Sequence, residues 1–272
     1  MENSNIYFAL GLTLFAGLST GIGSALAFFT KRTNTKALSI ALGFSAGVMI
    51  YVSFVEIFFK GQVLLTKAYG LKLGSIYNTL SFFGGIFLIA IIDRMIHKIG
   101  IENPHEDMMI EDMDNPVKRQ DYTKLYKTGL VTASAIAIHN FPEGLATFFS
   151  ALQDPSTGIV IAIAVAIHNI PEGIAVSVPI YYATGDRKKA FYYSFLSGLS
   201  EPIGGLIGYF FLSQFVGDTL VGCIFSGVAG IMVFISLDQL LPAAREYGEH
   251  HLSIYGLILG MGTMAISLLL FI

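Results

Sequence analysis

The sequence carries one polar motif twice inside apolar stretches, as AIAIHNFPEGLA at 135–146 and as AVAIHNIPEGIA at 164–175. Each copy places a histidine four residues before a glutamate, so the two side chains project from the same face of a helix. The link between the stretches, around QDPSTG at 153–158, is short. We therefore predict two antiparallel neighbouring helices, each with a His and a Glu on one face.

The rest of the chain has the composition of a membrane protein. Hydrophobic residues make up 54% of the sequence and charged residues 13%, whereas about a quarter of a soluble domain is charged. A membrane-spanning helix needs about 20 apolar residues. Eight stretches qualify, at 6–30, 37–59, 76–97, 128–151, 158–183, 189–213, 219–242 and 252–272. We predict a single all-α polytopic membrane domain over residues 1–272, with eight transmembrane helices.

The positive charges give the expected orientation of this plan. Of the 16 Lys and Arg residues, all but Lys60, Lys67 and Lys72 fall on one side, and the positive-inside rule places that side in the cytoplasm. Both termini are then expected outside the cell. The first stretch is interpreted as a retained helix, because a signal peptide would have a positive charge before it and none precedes Lys31.

The segment at 98–127 differs from the other links. It is acidic, carries two prolines, and is too polar to span a bilayer, which predicts a flexible cytoplasmic loop. The net charge of −3 and the absence of a basic face argue against a nucleic-acid partner. The expected surroundings are a lipid bilayer, and the sequence leaves a homodimer open.

Ionisable residues near the middle of the predicted helices indicate the chemistry. At 1.5 Å per residue His139 lies about 16 Å into its helix, and His168 reaches a similar depth from the opposite side. Glu201, in SGLSEPIGG at 197–205, lies equally deep in the sixth stretch. Three carboxylates therefore meet near the midplane without a Lys or Arg, and an unpaired one costs several kcal/mol there. A bound cation would neutralise them.

The residue types favour a divalent metal, because His and Glu together suit zinc and similar ions. Each glutamate also lies beside a proline, which is expected to open the helix backbone. Four ligands can surround one ion: His139, Glu143, His168 and Glu172. A second, oxygen-rich site can use Asn140, Asn169 and Glu201, with the same two motif glutamates as bridges.

HNFPEG and HNIPEG in consecutive helices, followed by SEPIGG in the next, resemble the ZIP (Zrt/Irt-like) metal transporters, and most closely their bacterial ZupT-type branch. The resemblance covers nearly the whole chain. It implies a binuclear metal centre on the seven residues just named and an inverted repeat of helices 1–3 and 6–8 around a helix 4–5 pair. It also implies that helices 1, 4, 5 and 6 move as a bundle against the rest.

The resemblance further implies a function and a location. Zinc is the expected main substrate, with iron, manganese and cobalt beside it, and the expected location is the bacterial cytoplasmic (inner) membrane. The metal is cargo, no organic cofactor is implied, and the chain is not expected to be an enzyme. Three further residues are candidate stations on the path: Met49 near the centre, Glu56 near the outer end, and Asp238 near the cytoplasmic end. A solvated carboxylate at a helix end explains Glu56 equally well.

Two alternatives stay open at this point. An intramembrane metal-dependent hydrolase would use a bound metal to activate water, although the HExxH signature is absent from the sequence. A proton-coupled transporter of another solute would use the same carboxylates, although the paired His and Asn residues fit a metal better. Glycines four residues apart, such as Gly43 and Gly47, indicate either a sliding surface or simply tight helix packing, and tight packing is preferred.

Overall fold

The computed structural model describes residues 2–26, 29, 34–98, 116–212, 217–246 and 250–269, and its regular elements there are helical. Ten α-helices follow one another: α1 Glu2–Leu26, α2 Thr35–Val52, α3 Phe58–Lys98, α4 Pro116–Gln153, α5 Pro155–Thr184, α6 Arg187–Gly198, α7 Ser200–Ile207, α8 Asp218–Phe234, α9 Leu241–Glu246 and α10 His250–Leu269. Three π-helical turns interrupt or extend them, at Ser53–Ile57, Gly208–Leu212 and Ile235–Leu240.

Five helical runs within the described residues are long and apolar enough to cross a membrane: Asn5–Ala25, Thr35–Met95, Gly158–Thr184, Asp218–Glu246 and His251–Leu269. The second run covers two predicted stretches, which Gly70 divides with a left-handed backbone (φ 76°, ψ 168°). The fourth and sixth predicted stretches are helical over their described residues but are not among these five runs. A helical membrane protein is therefore confirmed, while the eight-span count and the inverted repeat stay predictions.

Helix α4 starts earlier than its predicted span. It begins at Pro116 rather than near 128, and Leu125 and Tyr126, which precede the predicted start, are buried in the core. Residues 99–115 lie outside the described residues, so the acidic loop stays a prediction for that part of the chain. The short link after α4 is confirmed, since α4 ends at Gln153 and α5 begins at Pro155.

The three prolines beside the glutamates have different effects. Helices α4 and α5 run continuously through Pro142 and Pro171, so the expected opening does not break either helix. The sixth stretch does break, because α6 ends at Gly198 and α7 begins at Ser200. Pro202 has no N–H to donate to the carbonyl four residues earlier. The break places Glu201 in the first turn of α7.

Glycines set the closest helix contacts, which join α1 with α4–α7, α2 with α10, and α3 with α8. We describe α1 and α4–α7 as the first set and the remaining helices together as the second set. In the first set (α1 and α4–α7), a Cβ at Gly144 would lie 1.9 Å from the carbonyl oxygen of Glu201, and one at Gly173 would lie 2.0 Å from that of Thr20. In the second set (α2, α3 and α8–α10), a Cβ at Gly47 would lie 2.1 Å from the carbonyl oxygen of Leu257. All such contacts among the described glycines join helices of the same set.

The boundary between the two sets is formed by contacts other than those of glycines. Helix α2 packs on α5, and α4 packs on α8, without a glycine contact across the boundary among the described residues. Ser45 donates a hydrogen bond to the Pro171 carbonyl (2.8 Å), and the Tyr182 hydroxyl donates one to the Asn34 carbonyl (2.7 Å). Side-chain packing and isolated polar contacts thus join the two sets.

Candidate metal centre

The two repeated motifs pair with each other across the α4–α5 boundary. His139 Nε2 on α4 lies 2.8 Å from Glu172 Oε1 on α5, and His168 Nε2 on α5 lies 2.8 Å from Glu143 Oε1 on α4. The first pair is fully buried, whereas the Glu143 side chain of the second pair is 11% exposed. The four side chains of the first predicted ion site therefore lie together as two His–Glu pairs.

Asn140 joins the buried pair. Its side-chain amide lies 2.8 Å from His139 Nε2 and 3.2 Å from Glu172 Oε2. With the nitrogen turned towards the pair, the amide donates to the Glu172 carboxylate. With the oxygen turned towards the pair, the Asn140 amide joins the His139 nitrogen and the Glu172 carboxylate as a third possible metal ligand. The same three groups can thus satisfy one another or face a cation.

Glu201 and Asn169 form a separate contact on the other side of α5. Asn169 Nδ2 donates both to the Glu201 carboxylate and to the carbonyl of Ala16 on α1, the latter at 2.9 Å. Both side chains are fully buried. The predicted second donor set is therefore divided, because Asn169 lies with Glu201 while Asn140 lies with the bridging Glu172.

Several polar atoms of these residues are buried and have no hydrogen-bond partner among the described residues: His139 Nδ1, Glu143 Oε2, His168 Nδ1, Asn169 Oδ1 and Glu201 Oε2. Three of these are oxygens that only accept, and buried acceptors require a donor or a cation. No Lys or Arg in the described ranges forms an ion pair with Glu143, Glu172 or Glu201. The donor chemistry therefore suits a divalent cation.

The groups nevertheless meet in pairs rather than as one cage. In the part of the chain that the structure describes, no set of three or more His, Cys, Asp and Glu side chains converges to hold a metal. Each histidine nitrogen that faces the centre is already bonded to a carboxylate. A metal that binds here must separate these pairs, so coordination requires a rearrangement of side chains.

A narrow cavity reaches half of the centre. Glu143 and His168 line it together with Glu56, Lys60 and Phe225, and its volume is about 40 Å³. A wider chamber of about 410 Å³ shares Lys60 and Phe225 with this cavity. The narrow cavity is not lined by His139, Glu172 or Glu201. The His168–Glu143 pair is thus the accessible half of the centre, and the His139–Glu172 pair is the closed half.

The three predicted path residues fall in different environments. Glu56 lies in the π-helical turn Ser53–Ile57 and lines the cavity. Asp238 lies in the turn Ile235–Leu240, where it accepts a hydrogen bond from Gln239 at 2.8 Å. Met49 is fully buried in α2 and is not among the residues that line the cavity.

Two charged residues near these sites were not predicted from the sequence. Lys60 served only to assign orientation, although the spacing of Glu56 and Lys60 already predicts an ion pair one helical turn apart. The second residue is Asp93 on α3, whose carboxylate accepts a hydrogen bond from Gln239 at 3.2 Å. No sequence signal joins Asp93 to Gln239, because they are 146 residues apart.

Comparisons with known proteins show similarity over most or all of the chain. The family model described as ZIP zinc transporter matches residues 102–268. The zinc transporter ZupT of Nitratidesulfovibrio vulgaris Hildenborough is 60% identical, over 100% of this chain and 100% of its own. The zinc transporter ZupT of Streptococcus mutans is 63% identical, over 99% of this chain and 100% of its own. That of Lysinibacillus sphaericus is 61% identical over the same shares.

Proposed function

We propose a transport function on the premise that this chain belongs to the ZIP zinc transporter family, in its ZupT branch. The family is one of transporters, so the hydrolase interpretation is set aside. The proposed activity is import of divalent metal across the membrane into the cytoplasm. Zinc is the proposed main substrate, because the curated relatives are zinc transporters. Iron, manganese and cobalt are proposed as further substrates.

The observation that carries this proposal is the crossed pairing of the two motifs. Two imidazoles and two carboxylates face one another between antiparallel helices, with Asn140 beside one pair and Asn169 and Glu201 beyond. A divalent cation that replaces each His–Glu hydrogen bond gains a nitrogen and an oxygen ligand in the same step. We propose that the His168–Glu143 pair opens first, because it lines the cavity.

The proposed centre holds two ions. His139, Glu143, His168 and Glu172 bind the first, and Asn140, Asn169 and Glu201 bind the second, with the motif glutamates shared. The unpartnered oxygens of Glu143, Asn169 and Glu201 support the second, oxygen-rich position. Shared carboxylates are the usual means of holding two metal ions a few ångströms apart.

The size of the inner cavity bears on how an ion enters. A volume of about 40 Å³ admits roughly three water molecules. We propose that a divalent cation loses water as it approaches His168 and Glu143 in this narrow space. The His168 and Glu143 side chains on the cavity wall then replace those waters.

We further propose that the first helix set moves against the second to expose the centre on the other side. All of the proposed ligands lie in the first set, while Glu56, Lys60 and Phe225 line the cavity from the second. Glycine contacts hold the first set together, and none crosses to the second set among the described residues, which supports movement of the first set as one body. The π-helical turns that follow α2 and α8 lie in the second and seventh predicted spans, as an inverted repeat would place them.

Transport into proteoliposomes tests the proposal. Purified protein is reconstituted in vesicles that contain a zinc-sensitive dye, and zinc is added outside. The wild-type chain should fill the vesicles with zinc, whereas the His139→Ala, His168→Ala double variant should lose most of the uptake. His251→Ala serves as the histidine control, because that ring stacks near Tyr255 on α10. Uptake by the double variant at the wild-type rate would contradict the assigned centre.

Two extensions of this assay address the finer claims. Competition of radioactive zinc with manganese, iron and cobalt ranks the substrates, and a failure of all three to compete would restrict the proposal to zinc. A cysteine-accessibility assay in whole bacterial cells locates the termini, which are proposed to lie outside the cytoplasmic membrane. Labelling of a terminal cysteine only after the cells are opened would overturn that orientation.

A further inference from the structure

We infer that Lys60 acts as a built-in competitor for the incoming metal at Glu56, and so sets the zinc concentration at which the entrance opens to substrate. The inference rests on the proposed transport function and adds a residue that controls apparent affinity. Lys60 contributes no ligand. Its ammonium group forms an ion pair with the Glu56 carboxylate, which an entering cation reaches before the centre.

The ion pair is part of the cavity wall. Lys60 Nζ lies 2.7 Å from Glu56 Oε1, and both residues line the cavity that ends at Glu143 and His168. The second carboxylate oxygen, Glu56 Oε2, is buried and has no hydrogen-bond partner among the described residues. The carboxylate is therefore half satisfied by the lysine and retains an oxygen that can bind a cation.

Local backbone geometry places Glu56 and Lys60 together. Glu56 lies in the π-helical turn Ser53–Ile57, and Lys60 follows one turn later in α3. A π-helical turn inserts an extra residue and rotates the side chains that follow it, and such turns are frequent at functional sites. The spacing of four residues brings a carboxylate that is 15% exposed to a lysine that is 47% exposed.

The position of Lys60 suits a displaceable group. It lines both the inner cavity and the wider chamber of about 410 Å³, so its flexible stem has room to swing away from Glu56. In the absence of metal its charge compensates a largely buried carboxylate, which would otherwise be costly. A divalent cation brings twice the charge to the same oxygens and displaces the ammonium.

The test compares zinc uptake at low and high zinc. Lys60→Gln removes the competitor, so the KM for zinc should fall by roughly two- to five-fold, the range that a half-exposed ion pair supports. The rate of zinc uptake should rise only at low zinc concentrations. Lys60→Arg keeps the charge and should give a KM nearer to the wild-type value. A KM that rises or stays the same in Lys60→Gln would overturn the inference.

Lys67 provides the matched control. It belongs to α3, like Lys60, and pairs with Asp218 at 2.8 Å. Asp218 lines the wider chamber, but Lys67 itself lines neither that chamber nor the inner cavity. The hydrogen bond and the charge of Asp218 raise the pKa of Lys67, so this lysine stays protonated in the assay. Lys67→Gln should leave the KM unchanged. An equal fall in KM for both variants would indicate general surface charge and overturn the specific competition.

A double-variant cycle isolates the Lys60–Glu56 pair. Glu56→Gln removes the contested carboxylate and should raise the KM, and adding Lys60→Gln should then bring no further gain. If Lys60→Gln lowers the KM by the same factor with or without Glu56, competition at that carboxylate is wrong. Absence of uptake by the wild-type chain would instead contradict the proposed function, so the two failures are distinguishable.

Discussion

His139 bonds to Glu172 on the neighbouring helix at 2.8 Å, although its own motif supplies Glu143 one helical turn away. The histidine of each motif copy therefore pairs with the glutamate of the other copy. This crossed arrangement makes α4 and α5 a single unit, because separation of the two helices would leave a histidine and a glutamate buried without partners on both of them. The pairing that positions ligands for metal also stabilises the first helix set.

The first prediction concerns the stability of the closed pair. His139→Leu leaves the fully buried Glu172 carboxylate without its partner, and such a change should lower the free energy of unfolding by about 3–5 kcal/mol. The double variant His139→Leu, Glu172→Leu removes both polar groups and should recover much of that loss. Thermal unfolding in detergent measures both. A double variant that melts below the single one would contradict the prediction.

A second prediction addresses the proposed division into two ion positions. Glu201→Gln keeps an oxygen for the Asn169 hydrogen bond but replaces an unpartnered carboxylate oxygen with a donor. Zinc uptake should continue, while the ratio of zinc to manganese uptake should change, because an oxygen ligand is lost and manganese favours such ligands. Radiometal uptake in proteoliposomes gives the ratio. An equal loss for every metal would argue against separate positions.

The third prediction tests the glycine contacts within the first set. A Cβ at Gly144 would lie 1.9 Å from the Glu201 carbonyl, so Gly144→Ala should push α7 away and destabilise the protein by about 1–3 kcal/mol. Gly84→Ala is the control, since nothing lies within 4 Å of its Cβ position. Melting temperatures in detergent should fall only for the first variant. Equal melting temperatures would indicate that α4 and α7 can separate without cost.

A fourth prediction concerns the boundary between the two sets. Tyr182→Phe removes the hydroxyl that bonds to the Asn34 carbonyl, a contact worth about 1 kcal/mol. The equilibrium between the form described here and the form in which the first helix set has moved should shift about five-fold away from the form described here. In a Cys223→Ser background, maleimide labelling of Ala146→Cys in the cavity wall should slow accordingly. Tyr181→Phe, whose ring packs near Arg187, should label like the parent, and an identical slowing would contradict the prediction.

Much of the centre could be predicted from sequence, because spacing in a helix fixes which side chains share a face. His139 with Glu143 and His168 with Glu172 followed from that rule, and the depth of Glu201 in its own helix placed it at the same level. The partner of each histidine could not be predicted. Which face of α4 meets which face of α5 depends on the packing of both helices, including the contact of Gly129 with Ile180.

The helix boundaries show the same limit. Pro202 follows a real break, while Pro142 and Pro171 lie inside continuous helices. Hydropathy separated the second and third spans at 37–59 and 76–97 but did not predict their connection, which stays helical on both sides of Gly70. The local sequence pattern located the helices, and tertiary contacts determined where their backbones break or change direction.

The narrow inner cavity has a consequence for a cell that lives among far more magnesium than zinc. Magnesium releases its coordinated waters reluctantly and usually keeps several of them when it binds to proteins. A space of about 40 Å³ beside His168 and Glu143 should therefore disfavour magnesium through its hydration. Zinc and magnesium carry the same charge, so the ease with which each ion releases water is a property by which this entrance can tell them apart.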